Sequence, residues 1–519
     1  MSIRYTRSAR LAAAVSSALA IPFYAGTAAL VGLAAPITAH AQETTTQLSG
    51  LVLDQGGAPA AGATVTVTHV PSGTTRTVTT NAEGRYSVAG LRPGGPYTVA
   101  VSGEGVQAET FQNVTTTLGA ANIVDFGVAG TETLAEVTVS GTRVRDANVL
   151  AQFDSDAIAN APSINRDLKD VVRFEPSINL DQGNFNAISI AGQNTRFNSF
   201  TVDGVKQNDD FGLNNSGYVS NRSPISLDAV EQVSVLTSPW DVQYSGFQGG
   251  VINVVTRSGT NEFGGSAFYY YGDDSLAGDK TRDRNVSLTF DEKTYGATFG
   301  GPILQDKLFF FLSYEKFDRT GPVNVGPRGS GFPVEQPEIS QADFDQVRAI
   351  SQQVYGFDPL AIPATVPEES EKYLVNIDWN ISDLHRARFS YQHTEDFDTA
   401  GVPDNLGNRQ YFAPSSWYER GYELDQYVVQ VFSNWSDALS TEFKLARKEV
   451  ANRQEPLNGL GFSEVRVTTT NPAPIPTGTL IFGPDLSRHA NVLSNDQDQA
   501  KFRAEYLMGQ HTLSGGVEW

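Results

Sequence analysis

At 519 residues and 56.0 kDa, the chain is long enough for several domains and a sizeable core. The absence of cysteine excludes disulfides, zinc–thiolate sites, cysteine-ligated iron–sulfur clusters and cysteine nucleophiles, and a net charge of −21 argues against a nucleic-acid partner. With 48 Gly, 25 Pro, 19 Tyr and 29 Phe but only 18% charged residues, the composition favours an all-β protein with many turns.

Residues 1–41 read as a secretory signal peptide. Arg4, Arg7 and Arg10 form a basic start, small apolar residues run from Leu11 to Leu33, and Ala39-His40-Ala41 fits an Ala-x-Ala cleavage site. Cleavage leaves Gln42 first; without those three arginines, 34 basic side chains stand against 58 acidic ones, a net charge of −24. A transmembrane anchor is the competing reading, and Pro22, Pro36 and the lack of a charged stop-transfer sequence argue against it. No other long apolar run exists, which leaves strands as the only candidates for crossing a membrane.

Residues 42–128 are expected to form a β-sandwich. Candidate strands are Leu48–Asp54, Ala63–Val70, Thr74–Thr80, Arg85–Val88, Tyr97–Val101 and Asn122–Val128, parted by turns such as Gln55-Gly56-Gly57-Ala58-Pro59. The run Thr80-Asn81-Ala82-Glu83-Gly84-Arg85-Tyr86-Ser87-Val88, then Leu91, Pro93-Gly94 and Tyr97-Thr98-Val99, resembles the carboxypeptidase regulatory-like domain. No peptidase is expected despite that name. His-Glu-x-x-His is absent, the six histidines are scattered, and the only His-x-x-Glu, His40 with Glu43, straddles the cleavage site. A periplasmic interaction or glycan-binding module and a plain folding spacer both remain open.

Residues 129–145 form a linker with one β-prone run, Leu134-Ala135-Glu136-Val137-Thr138-Val139. Residues 146–257 hold a short helical segment, Ile164 to Ile178, ended near Pro176. Two strands follow, Ile188–Asn194 and Phe200–Val205, joined by a polar turn, with an Asp203-Gly204 turn signal. The run Leu227 to Val235 then precedes a turn-rich stretch with Pro239, Gly246, Gly249 and Gly250. A final strand ends in Val251-Ile252-Asn253-Val254-Val255-Thr256, and the stretch 257–265 is read as the crossing into the next region, where glycines let the backbone turn.

In this order these motifs resemble the plug of TonB-dependent outer-membrane receptors, with Asp203, Gly204, Gly249, Gly250 and Asn253 as its marker residues. Gln193-Asn194-Thr195-Arg196-Phe197 and Val242-Gln243-Tyr244-Ser245-Gly246-Phe247 are closer to the Oar-like (OmpA-related) subgroup, in which a sandwich also precedes the plug. The resemblance implies that Glu136, Val137, Thr138 and Val139 are a TonB box, which pairs with the energising protein by strand addition.

Residues 258–519 read as the N-terminal part of a transmembrane antiparallel β-barrel. Strands are expected at Ser266–Tyr271, on both arms of a hairpin within Tyr295–Glu315, and at Lys372–Asn380, His385–His393, Tyr422–Ser433, Ser440–Val450, Ala500–Leu507 and His511–Trp519. Short turns alternate with long connections, of which Gly321–Ser370 and Ala451–Gln499 are expected to be irregular extracellular loops. Tyr373, Val375, Ile377 and Trp379 give one strand a lipid-facing side, against Lys372, Asn376 and Asp378, with Leu374 the exception. About ten strands are expected where a plugged transporter needs about 22, so the sequence is read as stopping part-way round the barrel, and the terminal Trp519 as coincidence.

The fold expected is therefore mainly β: a sandwich, a small α+β plug and a transmembrane barrel. The resemblance implies a Gram-negative outer-membrane receptor with a periplasmic N-terminal domain, no catalytic chemistry, no cofactor and no metal. Its partners would be a TonB-type energising protein, outer-membrane lipid and an extracellular small-molecule, glycan or peptide substrate. The alternative is an adhesion or glycan-binding surface protein on the same barrel, without active transport.

Overall fold

A computed structural model describes residues 43–519 except 120–121, 128–148, 164, 182–186, 213, 215–216, 238–243, 245–246, 279, 282–283, 286–288, 404–405, 407 and 488–490. The signal peptide and Glu136–Val139 lie outside the described residues.

The N-terminal module is a sandwich of a three-stranded sheet (Arg85–Leu91, Thr46–Leu51, Asn122–Ile123) and a four-stranded sheet (Thr74–Thr79, Thr64–His69, Gly94–Ser102, Glu109–Thr116). Strict alternation in Thr64–His69 turns Val65 and Val67 inward onto Leu48, Tyr86, Val99 and Phe126. Glu109–Thr116 escapes the sequence reading because it is a polar, largely exposed edge strand with no period of two. His69 is buried, its Nδ1 2.7 Å from the Ser72 hydroxyl and its ring 4.9 Å from that of Tyr97.

The second region is built on a five-stranded mixed sheet in the order Val205–Lys206, Ser199–Val202, Val251–Thr256, Val230–Leu236, Val149–Asp154. Its central strands, VINVVT and VEQVSVL, lack alternation because both faces are covered. The helix is short, Leu168–Val172, with the Asp167 side chain accepting from the Lys169 N–H. The strands either side of the polar turn are not partners. Ala187–Ile190 pairs with Ile178–Asp181, whereas Ser199–Val202 runs parallel to Val251–Thr256, where its wholly buried side chains find an apolar neighbour.

Around this core stands a nine-stranded antiparallel meander. Its strands are Gly264–Asp273, Asp291–Leu304, Leu308–Pro322, Thr365–Asn380, His385–Ala400, Tyr418–Asn434, Leu439–Pro456, Val492–Met508 and His511–Glu518. Most are longer than expected, because their outer ends are charged and carry no apolar signal. Lys372, Leu374, Asn376 and Asp378 point at the inner core, while Tyr373, Val375, Ile377 and Trp379 point away, with Trp379 50% exposed. Leu374 is inward and apolar because it packs, with Phe311, into the apolar cluster of the inner domain.

Tight turns at 305–307, 381–384, 435–438 and 509–510 lie at one end of the meander, and long connections at the other. Those long connections correct an expectation, since they are not irregular throughout. A helix, Gln341–Ile350, opened by a Ser340/Asp343 capping box, packs with a three-stranded sheet of Gln410–Phe412, Thr479–Phe482 and Val465–Thr468. Val325, Ile339, Phe344, Tyr411, Leu480 and Phe482 form its core. These short apolar clusters come from three connections and meet only in space.

Two outcomes are expected. Val429 points outward mid-strand and is 41% exposed, so Val429→Lys should destabilise the assembled barrel by about 2–4 kcal/mol, read as the folded fraction on unheated gels; no change would contradict a lipid-facing surface. Burial, with Arg92 and Arg386 adding and Asp378 opposing, lowers the pKa of His69 from 6.5 to about 3. The unfolded chain therefore takes up this proton first, and the sandwich loses stability as pH falls from about 6.5 towards 3. Thermal melts from pH 7.5 to 4.5 should show that loss, and His69→Gln should flatten it.

Candidate functional site

The inner domain meets the meander through polar groups held by both. Between Ser199–Val202 and Val205–Lys206, Asp203 (φ +49°) and Gly204 (φ +71°) both adopt the left-handed conformation, as a two-residue hairpin turn of primed type requires. The turn projects the buried Asp203 carboxylate at the wall. It accepts from the Thr256 N–H (3.0 Å), the Thr256 hydroxyl (2.7 Å) and the Ser390 hydroxyl (3.3 Å), with the Arg388 guanidinium 3.8 Å away. Arg388 donates to the Thr256 carbonyl (2.9 Å), and Asn376 donates to the Thr256 hydroxyl oxygen (2.8 Å) and the Arg257 carbonyl (2.7 Å). Lys444, wholly buried on another wall strand, donates to the Gly204 carbonyl at 2.7 Å. Gln207 donates to Gln392 (2.7 Å) and Gln426 (2.8 Å) across the same boundary.

A second cluster ties the domain nearer the long connections. Arg166 pairs with Asp228 (2.7 Å) and Glu315 (3.4 Å) and lies 3.7 Å over the Phe268 ring. Glu315 also accepts from Lys372 (2.9 Å) and Ser226 (2.7 Å), so every charge in this buried group has a partner. Arg222 stacks 3.6 Å over Phe317 and pairs with Glu368 at 3.8 Å.

Towards the long connections lies a cavity of about 540 Å³ lined by Phe290, Glu292, Arg319, Pro322, Glu368 and Asp398. Arg319 sits between Glu292 (3.7 Å) and Glu368 (3.6 Å), and Arg420 holds Asp398 through two hydrogen bonds of 3.0 and 2.6 Å. Its walls thus carry both signs of charge with apolar patches between. Among the described residues no group of three or more side chains is arranged to hold a metal ion.

The marker residues fall at three places. Asp203 and Gly204 form the wall-facing turn. Asn253 lies on the central strand, accepting from Thr201 (2.9 Å) and donating to the Glu43 carbonyl (2.6 Å). Gly249 and Gly250 lead into that strand, and neither has a positive φ. They permit close approach: a Cβ on Gly250 would meet Ile190 at 2.5 Å, and one on Gly249 would meet Gln193 at 3.2 Å. Arg166, Glu315, Arg388 and Lys444 were not singled out from the sequence. For Glu315, Arg388 and Lys444 the signal is a charge on the inward register of a strand, readable only once the lipid-facing register is known; Arg166 lies outside any strand and carries no such signal.

Three domain families match in succession: the carboxypeptidase regulatory-like domain over residues 47–129, the TonB-dependent receptor plug domain over 144–251, and an outer membrane beta barrel domain over 255–360. The TonB-dependent transporter Oar of Myxococcus xanthus is 30% identical over 326 residues, covering 58% of this chain and 29% of that protein. The probable TonB-dependent siderophore receptor PirA of Acinetobacter baumannii is 28% identical over 173 residues, covering 30% and 21% respectively. The chain spans about three tenths or less of the length of these curated relatives. Among solved structures, the outer membrane transporter YddB of Escherichia coli aligns with a TM-score of 0.48 at 14% identity, covering 71% of this chain and 47% of that one.

Asp203→Ala should leave the buried Thr256 N–H without its acceptor and the buried Arg388 without this counter-charge, a loss of about 3–5 kcal/mol. Limited proteolysis in detergent should then cut the inner domain faster while the strand meander stays folded. An unchanged cleavage rate would contradict the role given to this carboxylate.

Proposed function

The chain has the domain set of a TonB-dependent outer-membrane receptor with a periplasmic N-terminal domain, and on that premise we propose that it imports a polar substrate using force from a TonB-type energising protein. The observation that carries this reading is the boundary between plug and wall. It is made of hydrogen bonds and ion pairs, such as Gln207 with Gln392 and Arg166 with Glu315, more than of apolar contact. Such a boundary holds a folded domain in place and still lets it move, because water can take over each broken polar contact. Substrate enters at the outer cavity beside Arg319, Glu368 and Asp398, whose mixed charges suit a polar ligand carrying both signs. The plug tip reaches that cavity through Arg222, paired with Glu368, which gives substrate binding a route to the plug.

Residues 136–139, in the linker between sandwich and plug, are proposed as the box on which the energising protein pulls. Strand addition there needs backbone N–H donors, and Val137→Pro removes one. In titrations of the purified receptor with the periplasmic domain of the energising protein, Val137→Pro should weaken binding at least about tenfold, roughly 1.4 kcal/mol. Equal binding by the variant would remove the box assignment, and no binding by either protein would remove the transport reading.

A further inference from the structure

The sandwich is docked on the tight-turn end of the barrel wall and on the plug at once. Asn380 donates to the Thr74 hydroxyl (2.8 Å), Arg386 to the Gly90 carbonyl (3.1 Å), Asn81 to the Gly509 carbonyl (2.9 Å), and the Asn261 N–H to the Pro71 carbonyl (2.8 Å). Buried at the centre, Arg92 and Arg386 share the Asp378 carboxylate at 3.8 and 3.5 Å, and Arg92 also reaches the Phe309 ring. Glycines permit the close fit. A Cβ on Gly90 would stand 3.3 Å from the Phe432 Cβ, and one on Gly94 would stand 2.9 Å from the Glu231 carboxylate.

The sandwich also staples the edge of the plug sheet. The Leu118 N–H donates to Gln232 (2.9 Å) and the Leu118 carbonyl accepts from Gln152 (2.5 Å). Gln152 lies on Val149–Asp154, the edge strand, and Gln232 on its neighbour Val230–Leu236. The linker joins residue 127 of the sandwich to Val149, the first residue of that edge strand. Tension on the linker is therefore applied across the Leu118 staple, between the sandwich and the strand it clamps.

From this geometry we propose that the N-terminal sandwich is a releasable latch: docked, it holds the plug's edge strand and covers the plug from the periplasmic side, and it must come away before the plug can be drawn out. The latch rests on the transport reading for its purpose, though its mechanics can be measured without that reading. Its contacts are nearly all polar, so undocking returns charges and amides to water and exposes little apolar surface.

These 519 residues contain no cysteine, so an introduced pair competes with no native thiol among them. The Gly90→Cys/Phe432→Cys pair places its Cβ atoms close to disulfide separation. Thr74→Cys/Asn380→Cys is the second pair should the positive φ of Gly90 (+72°) impair folding. The full-length receptor in a lipid film is pulled by force microscopy through a peptide tag at residue 137, so that no partner need bind. Both pairs should cross-link on oxidation. The force that first extends the plug should rise at least about twofold in the oxidised receptor and fall back with dithiothreitol. Identical force–extension curves in both redox states would overturn the latch, and failure of both pairs to cross-link would overturn the docking. Neither result bears on the transport reading, which stands or falls with partner binding at Val137.

Discussion

The contact on which the rest depends is the Asp203 carboxylate against Thr256 and Arg388. On the transport reading proposed above, a folded domain that moves inside a wall cannot be held mainly by apolar burial. Exposing 1,000 Å² of apolar surface again would cost roughly 25 kcal/mol at about 25 cal/mol per Å². Each hydrogen bond returned to water costs only about 0.5–1.5 kcal/mol net. The asymmetry explains why Asp203, Gln207, Arg388, Gln392, Gln426 and Lys444 are buried and polar, and why they sit at the boundary. A lone buried charge would be expensive, so each is supplied with partners from the opposite side.

Within the plug the opposite rule holds. Val202, Val233, Val235 and Val254 are fully buried in one apolar cluster, so the domain keeps its own fold while its boundary yields. The wall enters that cluster at two points only in the described cluster, Phe311 and Leu374. Smaller apolar contacts join wall and plug where Val428 and Ala446 meet Val205, and where Leu424 and Val450 meet Val219. The same logic extends to the sandwich, whose docking is built round Arg92, Asp378 and Arg386.

The order of sandwich, plug and barrel was legible in the sequence because each has a different signature. Short strands with Gly-rich turns mark the first and aromatic alternation marks the wall, while the plug was identified by the resemblance of its ordered motifs to a known family. The strand Val230–Leu236 was legible, to within a few residues, in the run Leu227 to Val235, because its valines stand close together ahead of turn residues. What stayed hidden depends on contacts distant in sequence. The edge strand Val149–Asp154 has no pattern of its own and is defined by its partner. The folded cap draws on three connections, and the pairing of Ala187–Ile190 with Ile178–Asp181 follows from packing. For the site, the Asp203-Gly204 turn could be read, whereas its acceptor role needed Arg388 and Thr256, the first of them 185 residues away from Asp203 by number.

The central claim, that polar contacts hold an independently folded plug in a stable wall, is tested most directly by bilayer conductance of the full-length receptor during a urea titration. Because urea competes for hydrogen bonds while the paired strands of the wall resist it, the account expects conductance to open at urea well below that which unfolds the barrel, and to close again when urea is removed. Conductance appearing only as the barrel itself is lost, or remaining open after urea is withdrawn, would contradict it.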